Sequence, residues 1–417
     1  MRPAASVLAL AVFAGLAACG PASRYASVDP GGTGSAEPAD AGETPDTSDA
    51  GEADVTRTYP AESPPVPMVV TLGGPVLATP KIVPVFFASD DGATVASVSD
   101  FVRHLGASDY WKAAVAEYGV GAAIAASPVS MPPADDPGAS IDDATIQTWL
   151  TGKLEAGDTV FPAPDAQTVY LLFYPAGVTV TNAGAQGCAA FTGYHQETAL
   201  DAAHGNARVA YAVVPRCGTA SGVTGLDALT AVASHELAEA VTDPFPATAP
   251  AFLQVDDAHF YWTEVLGGSE VGDLCAHVDG AVVPLDEGPY RVQRVWSNAA
   301  ARAGQDPCVP APVGRAYFNA APALGVVATT VQGRSVQIDG VRVAVGGSAV
   351  ISLHLFSDAP TAGPWIVSAR PAAGWTGELA FSFDTASGVD GDVVSMTVRV
   401  LGAGKYDREP FVVTSSL

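Results

Sequence analysis

The sequence predicts an α/β domain followed by an all-β sandwich of immunoglobulin-like type, and three observations carry that reading. Short apolar runs rich in β-formers alternate with helical spacing from about residue 67 to 311. Beyond residue 312 the helical spacing stops and only short strands remain. Ahead of both lies a stretch with almost no large apolar side chain, too polar to offset the entropy of ordering it.

In chain order, Met1 and Arg2 form a minimal positive start, 7–16 is an apolar run too short to cross a bilayer, and Leu16-Ala17-Ala18-Cys19 follows. That tetrad resembles the lipobox of bacterial lipoproteins. The resemblance implies a leader at 1–18, cleaved before Cys19, and acylation of the Cys19 thiol and its new amine, which anchors the protein to a membrane. The alternative is an ordinary secretory leader with a chance cysteine, and both readings place the mature protein outside the cytoplasm. Gly20, rather than Asp, after Cys19 favours the outer membrane of the cell envelope if the host is Gram-negative. Residues 19–66 read as a disordered acidic tether.

The α/β reading of 67–311 rests on three strand-like runs, 81–87 (KIVPVFF), 168–174 (TVYLLFY) and 208–214 (RVAYAVV). Helical spacing fills 95–117 with a break near Gly106, and Ser140 with Asp143 reads as a capping box before Ile146 and Leu150. A last helix is expected from Asp227, as N-cap, to Thr242, with Pro244 ending it. In 312–417, strands are expected at 326–331, 336–345, 349–356, 365–369, 379–383, 393–400 and 411–414.

The chain has 417 residues, 48% of them hydrophobic, so a sizeable core is affordable, and no apolar run reaches membrane-spanning length. Nineteen basic against 44 acidic residues give a net charge of -25, which argues against nucleic acid as a partner. With Cys19 spent on lipid, Cys188, Cys217, Cys275 and Cys308 remain. Three disulfide connectivities are open, and the sequence-local one, Cys188–Cys217 with Cys275–Cys308, is favoured. No Cys-x-x-Cys pair points to a structural zinc site.

The chemistry concentrates in Ser234-His235-Glu236-Leu237-Ala238-Glu239-Ala240-Val241-Thr242-Asp243-Pro244. His235 and Glu239, four apart on a helix, share a face and can reach one ion. Glu236 lies about 100° round, where its carboxylate can act as general base on an activated water. The stretch resembles the His-Glu-x-x-His helix of thermolysin-like gluzincins, with Glu239 in place of the second histidine. That resemblance implies a zincin-like mixed sheet, Glu270 as third ligand and Asp273 orienting His235. Glu270 and Asp273 stand one residue closer together than the pattern requires. One imidazole and two carboxylates suit zinc, and also manganese, iron or calcium.

A second resemblance spans about 67–310. The 81–87 strand, Cys188 before Gly193-Tyr194-His195, the 211–214 strand, Cys217 and the Ala-Ser-His-Glu-Leu-Ala-Glu helix are similar to the phosphate-induced protein 1, or exordium-like, family. The resemblance implies export and a wall-associated setting, with no established reaction.

Asp256, Asp257, His259 and Trp262 lie between the helix and Glu270 and offer alternative ligands or supporting contacts, as does Asp243. His195, Arg294 and Asn298 are candidates for substrate binding. No Gly-x-Ser-x-Gly elbow or phosphate-cradling loop is present. Two functions fit: a lipid-anchored metal-dependent hydrolase, foremost a zincin-type peptidase acting on an extracytoplasmic protein or polymer, and a non-catalytic surface protein that binds wall polymer or a protein partner.

Overall fold

The computed structural model describes residues 57–331, 334–405 and 408–417, together with the backbone of Leu8–Ala9 and Val12–Gly15. The lipobox with Cys19, and the tether up to residue 56, lie outside the described residues. The tether reading reaches too far: Arg57 Nη1 donates to Asp390 O at 2.7 Å and Ala61 N to Asp390 Oδ1 at 3.0 Å on the C-terminal part, and Val66 packs on the α/β core. No helix among the described residues is long and apolar enough to cross a membrane.

The α/β part is built on a sheet of β1 (Lys81–Phe86), β2 (Ile124–Ala125), β3 (Val129–Ser130), β4 (Thr168–Phe173), β5 (Tyr194–Ala199) and β6 (Arg208–Val214). The order is β5-β6-β4-β1-β2, with β3 also on β1, and every pairing is parallel except β5 on β6. Parallel strands buried on both faces read as continuous apolar runs, which is why 81–87, 168–174 and 208–214 stood out. Pro84 sits in the middle of β1, where a missing N–H normally breaks a ladder. Ile82 O and Phe86 O accept from Ala126 N and Met131 N on the β2–β3 side. Pro84 shares their parity, so its missing donor faces the gap between those two short strands and costs no ladder bond.

Alternation along the strands separates two cores. Ile82, Phe86, Leu171, Phe173, Ala212 and Val214 pack against α1 (Gly92–Leu105), α2 (Asp109–Val115) and α4 (Gly225–Thr242). Val83, Val85, Tyr170, Leu172, Tyr211 and Val213 pack against Ile146, Leu150 and Leu154 of α3 (Asp143–Glu155). The result is three layers, helix on sheet on helix. Two helix starts differ from the sequence reading. Asp142, not Ser140, caps α3, accepting from Thr145 N at 2.9 Å, because Ser140–Asp142 is itself a strand. The last helix begins at Gly225 rather than Asp227, which falls in its first turn, and it ends at Thr242 as Pro244 requires.

α4 is buried on nearly every side, from Ala228 to Ser234 and again from Glu236 to Thr242. One flank meets the sheet. The other is stitched to a hairpin, β7 (Val282–Pro284) and β8 (Arg291–Gln293), whose Arg291 N and Gln293 N donate to Thr230 Oγ1 at 3.3 Å and Ser234 Oγ at 2.9 Å. Hydroxyls four residues apart on one helix face thereby fix the register of a strand against it.

The C-terminal part is a sandwich of two sheets. One has the order Phe318–Ala323, Ser348–Ser357, Val393–Gly402, Glu378–Phe383, all antiparallel. The other pairs Trp365–Pro371 with Phe411–Ser416 and Ser387–Gly388, and Val12–Gly15 lies parallel to Phe411–Ser416. Trp365, Met396, Val398 and Phe411 fill the space between them. The hairpin Gly325–Val331 and Arg334–Gly340 packs Val327, Val336 and Ile338 on Tyr261 of the α/β part. The strand Phe318–Ala323, absent from the sequence reading, is poor in β-formers and carries Pro322, which its place at a sheet edge tolerates.

Candidate metal centre

His235 and Glu239 stand one turn apart on α4, with His235 Nε2 3.3 Å from Glu239 Oε2. Glu236 sits on the flank, its Oε1 4.0 Å from the same nitrogen. The opposite wall comes from the turn at 270–275, where Asp273 N donates to Glu239 Oε1 at 3.1 Å and Asp273 Oδ1 lies 3.8 Å from His235 Nε2. Ligands about 2.0–2.1 Å from a tetrahedral ion stand roughly 3.3 Å apart. His235, Glu239 and Asp273 each offer one potential ligand atom, and the three lie within 4.8 Å of one another.

The turn can come this close because residue 272 is glycine. A Cβ there would lie 2.6 Å from His235 Nδ1 and 2.7 Å from Glu239 Oε1. Its backbone is ordinary right-handed (φ -78°), so the glycine supplies space rather than conformational freedom. Gly193, just before β5, does the same beneath Glu236, where a Cβ would meet Oε1 at 2.4 Å. Gly272→Ala is expected to push imidazole and carboxylate apart, costing about 1–3 kcal/mol and weakening ion binding, which thermal unfolding and metal titration together would register.

His195, on the antiparallel edge strand, closes the back of the cluster. Its Nδ1 is 3.7 Å from Glu239 Oε2 and its Nε2 3.4 Å from Glu270 Oε1 and 3.2 Å from Asp243 O. Asp243, one turn past Glu239, receives Ala251 N on Oδ1 at 2.6 Å. Two imidazoles and five carboxylates therefore occupy one interior region, with Glu236 and Glu239 3% exposed, Asp243 fully buried and His195 7% exposed. Burial lifts Glu236 and Glu270 above the usual carboxylate range, Glu270 further pushed by Glu239 and Asp273. Burial, then Glu239, raises Asp273 to about 6. Against the same burial, His235 and His195 hold Glu239 well below its ordinary value and are themselves raised by it. A cation can take the place of the protons that this dry setting holds on the raised carboxyls.

A cleft of about 500 Å³ opens onto His235, Glu236 and Asp273. One rim is 188–193, fastened by the Cys188–Cys217 disulfide (Cα–Cα 5.0 Å), and the other includes Ala276 and His277, fastened by Cys275–Cys308 (5.7 Å). The sequence-local pairing of cysteines is the one formed, and each bond holds one wall of the cleft. No protein family's sequence profile, no curated protein and no solved structure matches this chain.

Several residues singled out in the sequence take other places. Glu270 does not join His235 and Glu239; it faces His195, and Asp273 stands at the third position instead. Asp273 consequently lies at the Nε2 side of His235 rather than orienting it through Nδ1. Arg294 is 2% exposed and spent on Asp306, Cys308 O and Pro310 O, holding the 306–310 segment away from the cleft. Asn298 donates to Val69 O and accepts from Val69 N. His259 contacts Asp256 at 2.8 Å and Pro65 O at 3.3 Å, remote from the cluster. His195 is part of the buried cluster and does not line the cleft.

Gln293, unremarked in the sequence, is the partner of His235 Nδ1: its amide nitrogen lies 2.7 Å away and also donates to Gly272 O at 2.9 Å. A cation on Nε2 leaves the ring proton on Nδ1, which needs the Gln293 oxygen there, and the half-turn of the amide that supplies it gives up the bond to Gly272 O. Strand period was the available signal, since Gln293 and Arg294 must face opposite ways and only one can meet α4. Gln293→Leu removes the partner at nearly constant volume, and ion affinity is expected to fall about 10–100-fold in a competitive chelator titration.

Proposed function

We propose that this chain is an extracytoplasmic metal-dependent hydrolase of zincin type, cleaving peptide bonds in a protein or polymer substrate. The observation that carries the reading is the convergence of His235, Glu239 and Asp273 on one coordination-sized point at the floor of an open cleft, with Glu236 beside them. One imidazole and two carboxylates fit zinc and also manganese. Such an ion, when bound, polarises a substrate carbonyl and makes water more acidic.

The remaining steps belong to side chains of the chain itself. Glu236, buried and lining the cleft, holds a carboxyl whose proton affinity is raised by burial, the property a group needs to take a proton from water and return it to a departing amine. Gly193 keeps the edge-strand backbone against that carboxyl, which restricts its rotamers. Gln293 fixes the His235 ring, and the Asp273 amide fixes the Glu239 carboxylate. Each of the two disulfides stiffens one wall of the cleft. The Cys19 anchor, if acylated as its tetrad implies, confines the substrate to the envelope.

Digestion of casein by the purified mature chain tests the reading. New peptides should appear with zinc or manganese, stop with a strong chelator and return on adding the ion back. Identical peptide maps with and without protein, across both ions, would exclude peptidase activity.

A further inference from the structure

We infer that a second divalent cation is held behind the first, by His195 Nε2, the Asp243 carboxylate and Glu270 Oε1. This deepens the metal-centre reading and rests on it through Glu239 alone, which stands between the two positions.

Three elements that are distant in sequence bring these donors together: the edge strand β5 carries His195, the C-terminal end of α4 carries Asp243, and the turn before Asp273 carries Glu270. Their ligand atoms all lie within 4.8 Å of one another. His195 Nε2 and Glu270 Oε1 are 3.4 Å apart, close to the spacing of neighbouring ligands around an ion of zinc size. Asp243 O, 3.2 Å from His195 Nε2, adds a carbonyl oxygen on the same side. Harder divalent ions accept such an oxygen readily.

Unsatisfied atoms point the same way. Asp243 is fully buried; Ala251 N occupies its Oδ1, and Oδ2 has no hydrogen-bond partner. Glu270 Oε1 is buried and likewise without one. Among the described residues no Lys or Arg pairs with either carboxylate, and the ion pairs they and Glu239 make are all with histidine. Buried polar atoms in a folded protein are nearly always satisfied, so two carboxylate oxygens without a hydrogen-bond partner beside one imidazole point to a cation as their partner. None of the three residues lines the cleft, so this ion would not meet substrate.

Its role follows from the other ring nitrogen. With Nε2 on the second ion, His195 keeps its hydrogen on Nδ1, which faces Glu239 Oε2 at 3.7 Å. The second ion thereby positions Glu239 for the first, and it cross-links β5, α4 and the 270–275 turn.

Metal content of the full mature chain, loaded with zinc and dialysed against metal-free buffer, tests this. Two equivalents per chain are expected, falling to one in Asp243→Asn/Glu270→Gln and to one in His235→Ala. A wild type with a single equivalent that His235→Ala loses and the double variant keeps overturns the second site and leaves the first standing. The reverse pattern overturns the first and leaves the second. Should the double variant not fold, as its melting curve would reveal, anomalous diffraction at the zinc edge on the wild type decides. A peak among His195, Asp243 and Glu270, separate from one at His235, is expected, and a lone peak at His235 overturns the proposal.

Discussion

Glu236→Gln is expected to lower peptide hydrolysis by about 10²–10⁴-fold while leaving metal content and melting temperature unchanged. The amide keeps the volume of the side chain, so its packing over Gly193 and Val232 is preserved. It cannot take a proton. Folding is spared because the native carboxyl is already disfavoured in its charged form by burial, and an uncharged amide removes that cost. The proposed ligand atoms belong to His235, Glu239 and Asp273, so ion binding should survive. Equal rates for wild type and variant, measured on the same peptide with the same ion, would remove Glu236 from the chemistry.

Removing the Cys275–Cys308 bond is the largest expected effect on stability. The bond closes a sequence separation of 33 residues, for which the chain-entropy relation gives about 4 kcal/mol. Both cysteines are fully buried, so alanines at the two positions add a small packing loss. For a part of this size a drop of roughly 10 °C in melting temperature follows, read under non-reducing conditions. The consequence extends to the site, because Cys275 closes the short 3-10 turn that begins with Asp273. Weaker ion binding should therefore accompany the lower melting point, and a variant that melts lower with unchanged affinity would show that the turn is held by other contacts.

What could be read from the sequence was what depends on local spacing. His235 and Glu239 one turn apart, and Pro244 as the stop, are properties of a single helix, and the structure keeps them. Buried parallel strands announce themselves through unbroken apolar runs, as did 81–87 and 168–174. The sandwich strands were similarly marked by apolar side chains at alternate positions, as at Ile351, Leu353 and Leu355 and at Val394, Met396, Val398 and Val400. Long-range pairing leaves no such mark. His195 reaches the cluster only because β5 runs antiparallel on β6, a fact carried by no residue near it in sequence. Glu270 and Asp273 are three apart in a turn whose course is fixed by Cys308 and Gly272, so the choice between them at the ion depended on contacts 30 or more residues away. Arg294 looked available to an anion, and its partners, 12 to 16 residues on at 306–310, carry no local spacing that ties them to it.

The central claim is that α4 and the 270–275 turn form a metal centre, and the most direct measurement is the metal content of the purified chain compared with that of His235→Ala. The account predicts stoichiometric divalent metal in the wild type, one equivalent fewer in the variant, and loss of hydrolysis with that equivalent. A wild-type chain that folds with both disulfides formed yet retains no stoichiometric metal from zinc or manganese would contradict it.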